Sequence, residues 1–476
     1  MLTSTAYEDS SLSFWPRVRD FAVPPSMIET ATARRLRGDW AGACAAAGVD
    51  LDFDLRSSAR THGRELMSRV RRDLRHLAPD LLRWHLPRVA PDGLLRPGLT
   101  ITLARYEGAG RDGVRPVHLV VRTPPAWADG GQRIGLALWD AADGGSRDRL
   151  SRDTGARRHP HPRPSRRHRL DLHRHLWDTR RTGELRVRSG ADLPADGARP
   201  GNGDPPGPVP ADLGCAVGRW ADEAAILLRD EGRTSGTVTV RLGTRRWLLL
   251  DLAADPQGTD PPALRITAAP ADGTGDGPAV PVLPDAATWV LPDLALLRAG
   301  AVGTERLHPL VASALFPDHT PAAAPRNADP AGSPRLVECR GAVHRIGLVD
   351  GVLAALDHDP DEIRREELLV ALTGTPLPCL RVIDEAHRRP HCLHGVRERL
   401  RHGDTAGALA VVEGLLGPEA VLRDGALRDE LRAAARRRVT YGLFRAGLSG
   451  PGPDQLGPGP ARPRDHRSHP RDTTRR

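Results

Sequence analysis

Three stretches with almost no large apolar side chains, residues 141–168, 195–210 and 317–334, interrupt the chain and are expected to be linkers. They are rich in Gly, Pro, Arg or Ala, and such runs bury too little apolar surface to offset the entropy of ordering them. At 476 residues the chain is long enough for several cores.

Between the breaks the hydrophobic period changes character. Pro24-Pro25-Ser26 opens a helix with Ser26 and Glu29 at capping-box spacing, and it should end near Arg37-Gly38. Asp39 then caps a short helix through Ala47, which closes an αα-hairpin. A longer helix is expected from about Arg56 to Leu77, with Leu66, Val70, Leu74 and Leu77 on one stripe and Arg64, Arg71, Arg72 and Arg75 opposite. From Leu99 the pattern alternates. Leu99, Ile101 and Leu103, then Val117, Leu119 and Val121, then Ile134, Leu136 and Leu138 read as an antiparallel meander.

A second helix–hairpin pattern follows, with Leu213 to Leu228 as the helix and Val238 to Leu252 as the hairpin. After the third break come strands at Leu336 to Arg340, His344 to Val349 and Val352 to Leu356, then helices to about Leu448. The pattern predicts an α+β, multidomain fold. Helical N- and C-terminal units flank antiparallel β-meander regions, with disordered Arg/Pro/Gly-rich linkers between them. The expected division is a helical unit over 1–92, a meander over 93–140, a linker over 141–168 and a mixed α+β region over 169–316. A linker over 317–334, a β-hairpin plus helical bundle over 335–448 and a disordered basic tail over 449–476 complete it. One octapeptide recurs in outline: Gly38-Asp39-Trp40-Ala41-Gly42-Ala43-Cys44-Ala45 parallels Gly403-Asp404-Thr405-Ala406-Gly407-Ala408-Leu409-Ala410. Both read as helix-turn-helix joints with Asp as the cap.

All 69 basic residues are arginine, and lysine is absent. That excludes a P-loop NTPase, a pyridoxal enzyme and a protein kinase, each of which needs a lysine on phosphate or cofactor. The formal net charge of +9 is local. Residues 144–190 hold fourteen Arg against five acids and the tail from 451 holds six against three, which leaves the rest close to neutral. The five cysteines have no C-x-x-C spacing and are expected to be reduced and mostly buried. No apolar run reaches the roughly 18 residues of a membrane helix, and no secretory core follows Met1. A soluble cytoplasmic protein with no membrane partner is expected.

Few constellations carry chemistry. Gly108 to Gly113 spells G-x-G-x-x-G, but it joins two strands and so reads as a hairpin loop rather than a dinucleotide fingerprint. His173 and His175, placed on a strand, would project from one face as paired metal ligands, zinc being the metal this donor set suits. The run Asp357 to Glu362 reads as a helix cap, with Asp359 capping, Pro360 first in the helix and Glu362 completing the box. His387, His391 and His394 would align on a helix, but Pro390 interrupts it. Arg163, Arg166, Arg167, Arg169 and Arg174 could neutralise nucleic-acid phosphates.

The reading that accounts for most of these features is a non-catalytic interaction or scaffold component of a larger assembly, with protein partners and no cofactor. A metal-dependent hydrolase using His173 and His175 is one alternative. A nucleic-acid-binding protein acting through 144–190 is the other.

Overall fold

The computed structural model describes residues 14–107, 115–140, 163–193, 209–210, 213–243, 246–253, 264–268, 280–317, 335–339, 341–349, 352–374, 376–388, 392–417 and 421–448. The loop around the G-x-G-x-x-G pattern and the tail lie outside them. The architecture is α+β and divides into two compact units: Met1–Ala322 with Leu443–Arg476, and Ala323–Gly442.

In the larger unit, helix α1 (Pro25–Leu36) begins with Pro25 at its first position, where a missing N–H leaves no helical bond unmade. Ser26 does not cap it as expected. The residue before the helix is Pro24, and no side chain bonds there. Gly38 turns the chain at φ +76°, and Asp39 caps α2 (Trp40–Ala46) by accepting from the Gly42 amide at 2.8 Å. The long helix expected to Leu77 is two. Gly63, at φ +87°, ends α3 (Leu55–His62) and starts α4 (Arg64–His76), because a left-handed residue cannot continue a right-handed helix. α5 (Pro79–His85) follows, then a short β2–β3 ladder (Arg88–Val89 with Leu94–Leu95).

The meander forms as expected from β4 (Thr100–Tyr106), β5 (Val117–Arg122) and β6 (Ile134–Asp140), with Ile101 opposite Val121 and Val121 opposite Leu136. A three-residue strand not read from the pattern, β1 (Val49–Leu51), joins parallel to β6 and makes the order β1-β6-β5-β4. The edge at β4 is covered. Ser165 and Asp171 donate backbone bonds to the carbonyls of Thr100 and Thr102, so residues 163–168, expected in a linker, lie along this edge. The sheet and α4, through Leu66, Met67, Val70 and Leu74, bury a first core.

After α6 (Leu185–Ser189), helix α7 (Trp220–Asp230) lies on the antiparallel sheet β7 (Gly236–Arg241), β8 (Trp247–Leu252) and β9 (Leu264–Ala268). Trp220, Ala224, Leu227 and Leu228 meet Val238, Val240, Leu248 and Leu250 in a second core. The short helices α8 (Asp285–Thr288), α9 (Pro292–Arg298) and α10 (Pro309–Leu315) return the chain, and Leu296, Val311 and Leu315 complete the first core.

In the smaller unit, β10 (Arg335–Cys339), β11 (Ala342–Val349) and β12 (Val352–Ala355) form the antiparallel sheet. Helices α11 (Pro360–Thr373), α12 (Pro378–Arg388), α13 (Leu393–His402), α14 (Thr405–Leu416) and α15 (Ala426–Arg445), the last counted in this unit as far as Gly442, follow. Its buried clusters are small. One holds Cys339, Ile346, Ala355, Cys379 and Ile383; the other includes Val396, Leu400, Val412, Leu416 and Leu427.

The two octapeptides adopt the same joint. Gly403 turns at φ +90°, Asp404 accepts from the Gly407 amide at 2.9 Å, and its other oxygen meets Arg399 at 2.7 Å, as Asp39 meets Arg34 at 3.1 Å. A Cβ on Gly42 or Gly407 would stand 2.1 Å from the capping carboxylate, which is why both positions are glycine.

The first core is pinned by a buried ion pair. Arg19 and Asp293, 274 residues apart, meet at 2.9 Å with side chains 1% and 0% exposed, and Trp84 Nε1 donates to the same carboxylate at 3.1 Å. Arg19 also donates to the Trp84 carbonyl and lies 4.1 Å over its ring. Asp293→Asn therefore strands a guanidinium in the core and should cost about 3–5 kcal/mol in urea unfolding. An Arg19→Met/Asp293→Leu pair should recover most of that loss, because neither charge then remains buried.

Candidate functional site

The segment singled out for its His and Arg residues lies between the two cores of the larger unit. Leu170, Leu176, Trp177 and Leu185 enter the first core, while Leu172 lies against the second. His173 and His175 do not sit on a strand. His173 precedes a single 3₁₀ turn, Arg174–Leu176, and His175 lies within it; they are 2% and 3% exposed. Their rings still come together, edge to face with centroids 5.7 Å apart.

What His173 meets is a carboxylate. Its Nδ1 donates to the Arg169 carbonyl at 3.0 Å, and its Nε2 stands 3.2 Å from Oε2 of Glu223 on α7. The ring thus stands between a backbone carbonyl and a carboxylate. Arg188 holds the same carboxylate through Nε and Nη2, at 2.5 and 2.7 Å. Burial alone would push the Glu223 carboxyl up, but His173 and Arg188 beside it outweigh that and hold it down at about 2. His175, with a buried Nδ1 that has no hydrogen-bond partner, is pushed well below the usual histidine range by burial and then by its cationic and imidazole neighbours.

The arginines divide into two groups. Arg167 grips Asp285 bidentately at 2.9 and 2.8 Å, and Arg169 reaches Asp171 at 2.7 Å and Asp230 on α7 at 2.6 Å. Arg174 and Arg180 share Asp73 and the fully buried Asp178, and Tyr106 donates to Asp73 at 2.9 Å. Burial opposes ionisation of Asp178, yet Arg180 and Arg174 hold its carboxyl below the usual range. Arg163 and Arg166 are exposed. Three of the five guanidiniums singled out for phosphate are therefore bound to the protein's own carboxylates.

A different group escaped the sequence reading. Among the described residues, ligand atoms of three donor side chains converge within 4.8 Å of one another at Cys339, His358 and Cys379 in the smaller unit. Cys339 ends β10 and Cys379 is the second residue of α12, both 1% exposed, and His358 precedes α11. Burial and the adjoining Cys339 thiol push Cys379 up to about 11. No short spacing announces the group. The only signals were two cysteines at apolar positions and a histidine inside a capping run. The side chains of His387 and His391 lie outside the described residues.

Comparison with protein-family models, with curated proteins and with solved structures finds no match to this chain.

The Glu223 clamp makes a pH prediction. A carboxyl held at about 2 in the fold, against an ordinary 4.5, adds stability above 4.5 that is lost as pH falls from there through 2. Glu223→Gln should cost about 3–5 kcal/mol at neutral pH and should flatten the acid limb of the stability curve between those values. Urea titrations from pH 7 to 2.5 check it; an unchanged acid limb contradicts the clamp. Arg169→Ala should likewise destabilise the unit measurably, whereas Arg163→Ala, at an exposed position, should stay within about 0.5 kcal/mol.

Proposed function

We propose that this chain is a non-catalytic interaction component of a larger assembly, and that the unit Ala323–Gly442 carries its contact surface. The observation behind this reading is where exposed apolar side chains lie. Among the described residues, nine of the sixteen exposed large apolar side chains fall in this much smaller unit. They include Leu336 at 64%, Val343 at 65% and Leu368 at 67% exposed. Solvent-exposed apolar groups concentrated on one unit are what a protein-binding surface requires.

The outer face of the β10–β11 ladder illustrates the chemistry. Leu336 stands opposite Arg345, and Val343 opposite Glu338, so apolar and charged groups alternate as at an interface rim. The partner this suits is a protein. The reading places the chain in the cytoplasm, in keeping with the buried free thiols Cys44, Cys339 and Cys379. No helix among the described residues is long and apolar enough to cross a membrane.

A photo-crosslinking side chain at Val343 or Leu368, introduced in the cells that make the protein, tests the proposal. It should join the chain to one discrete partner, Leu369→Asp should abolish the Leu368 product, and the same probe at Arg163 should give none. Equal labelling at all three positions, or a product at Arg163 alone, contradicts it.

A further inference from the structure

We propose that Cys339, His358 and Cys379 form a zinc site that fastens the strands of the smaller unit to its helices. Two thiols and an imidazole are the donor set that borderline-soft Zn²⁺ selects, whereas hard cations take oxygen. Their ligand atoms already lie within 4.8 Å of one another, close to the separations of a tetrahedral shell with bonds of about 2.0–2.3 Å.

The histidine is the independent observation. Its side chain is only 4% exposed, yet its Nε2 is buried with no hydrogen-bond partner. A buried imidazole nitrogen without a partner forfeits the hydrogen bond it made to water, and a metal ion removes that cost. The other nitrogen, Nδ1, stands 3.5 Å from the Glu362 carboxylate in the first turn of α11. That arrangement, a carboxylate behind a histidine whose far nitrogen is free, orients metal-binding imidazoles and strengthens their basicity. Glu362 lies beside the imidazole in the first turn of α11, and Asp359 caps that helix through the Asp361 amide at 2.8 Å.

The support continues outward. Asp357 is tied to Arg345 on β11, through the backbone amide at 2.7 Å and Nη2 at 2.7 Å, so the residue before His358 is anchored to the sheet. His344, also on β11, stacks on His358 with centroids 4.2 Å apart and planes at 12°, and its Nδ1 is buried without a partner. An ion at the site ties the end of β10, the segment before α11 and the start of α12 together. Among the described residues the cluster that joins them has five buried side chains, so a metal crosslink would supply stability that so small a core lacks.

The full chain, purified without chelator, should carry about one Zn²⁺, as expected for a structural site. Cys339→Ser and Cys379→Ser should lose it, and Cys215→Ser should keep it. If the serine variants fail to fold, the wild-type chain still decides the matter. After metal removal, Co²⁺ should produce thiolate-to-metal charge-transfer absorption, and Zn²⁺ should protect Cys339 and Cys379 from alkylation but leave Cys215 reactive. Absence of zinc together with no thiolate–cobalt absorption overturns the proposal. So does a Cys339–Cys379 disulfide in protein handled without oxygen.

Discussion

A carboxylate taken out of water must find positive charge, and in this protein the position of Glu223 depends on that requirement. Glu223 belongs to the helix that covers the second core, while His173 and the cation Arg188, which meet it, belong to a segment that also fills the first. The low effective dielectric of such a place makes each ion pair strong and each unpaired charge costly. The same logic repeats beside it, where Arg169 reaches Asp230 and Arg167 reaches Asp285. Two hydrophobic cores that share few apolar contacts are thus held in one unit by a seam of charge.

This changes what a strongly basic composition means. Without lysine, every cation is a planar fork suited to bidentate pairing with a carboxylate, and Arg133 with Asp50 and Arg167 with Asp285 use it so. Residues 163–190 look like a free basic arm only when the acids that answer them are counted locally. Those acids, Asp73, Glu223, Asp230 and Asp285, lie up to 118 residues away.

Local rules were enough to read much of the fold and little of the chemistry. The meander at β4–β6, the caps by Asp39 and Asp404, and the α7 hairpin region follow from period and turn chemistry within a dozen residues. The break at Gly63 was visible as a glycine, but the stripe from Leu66 to Leu77 outweighed it. β1 is three residues long and exists because β6 offers an edge, so only tertiary pairing reveals it. The Cys339–His358–Cys379 group draws on three elements spread over forty residues, and no spacing rule reaches that far. His173 and His175 did come together, though at a 3₁₀ turn and with His173 facing a carboxylate.

The seam is the claim on which the description of the larger unit rests, and amide hydrogen exchange on the intact chain tests it most directly. If residues 165–178 lie along β4 and between the cores, the amides of Ser165, Asp171, Leu176 and Asp178, all hydrogen-bonded, should exchange as slowly as those of β5. Exchange of this stretch at the rate of an unstructured peptide, with β5 still protected, would contradict it.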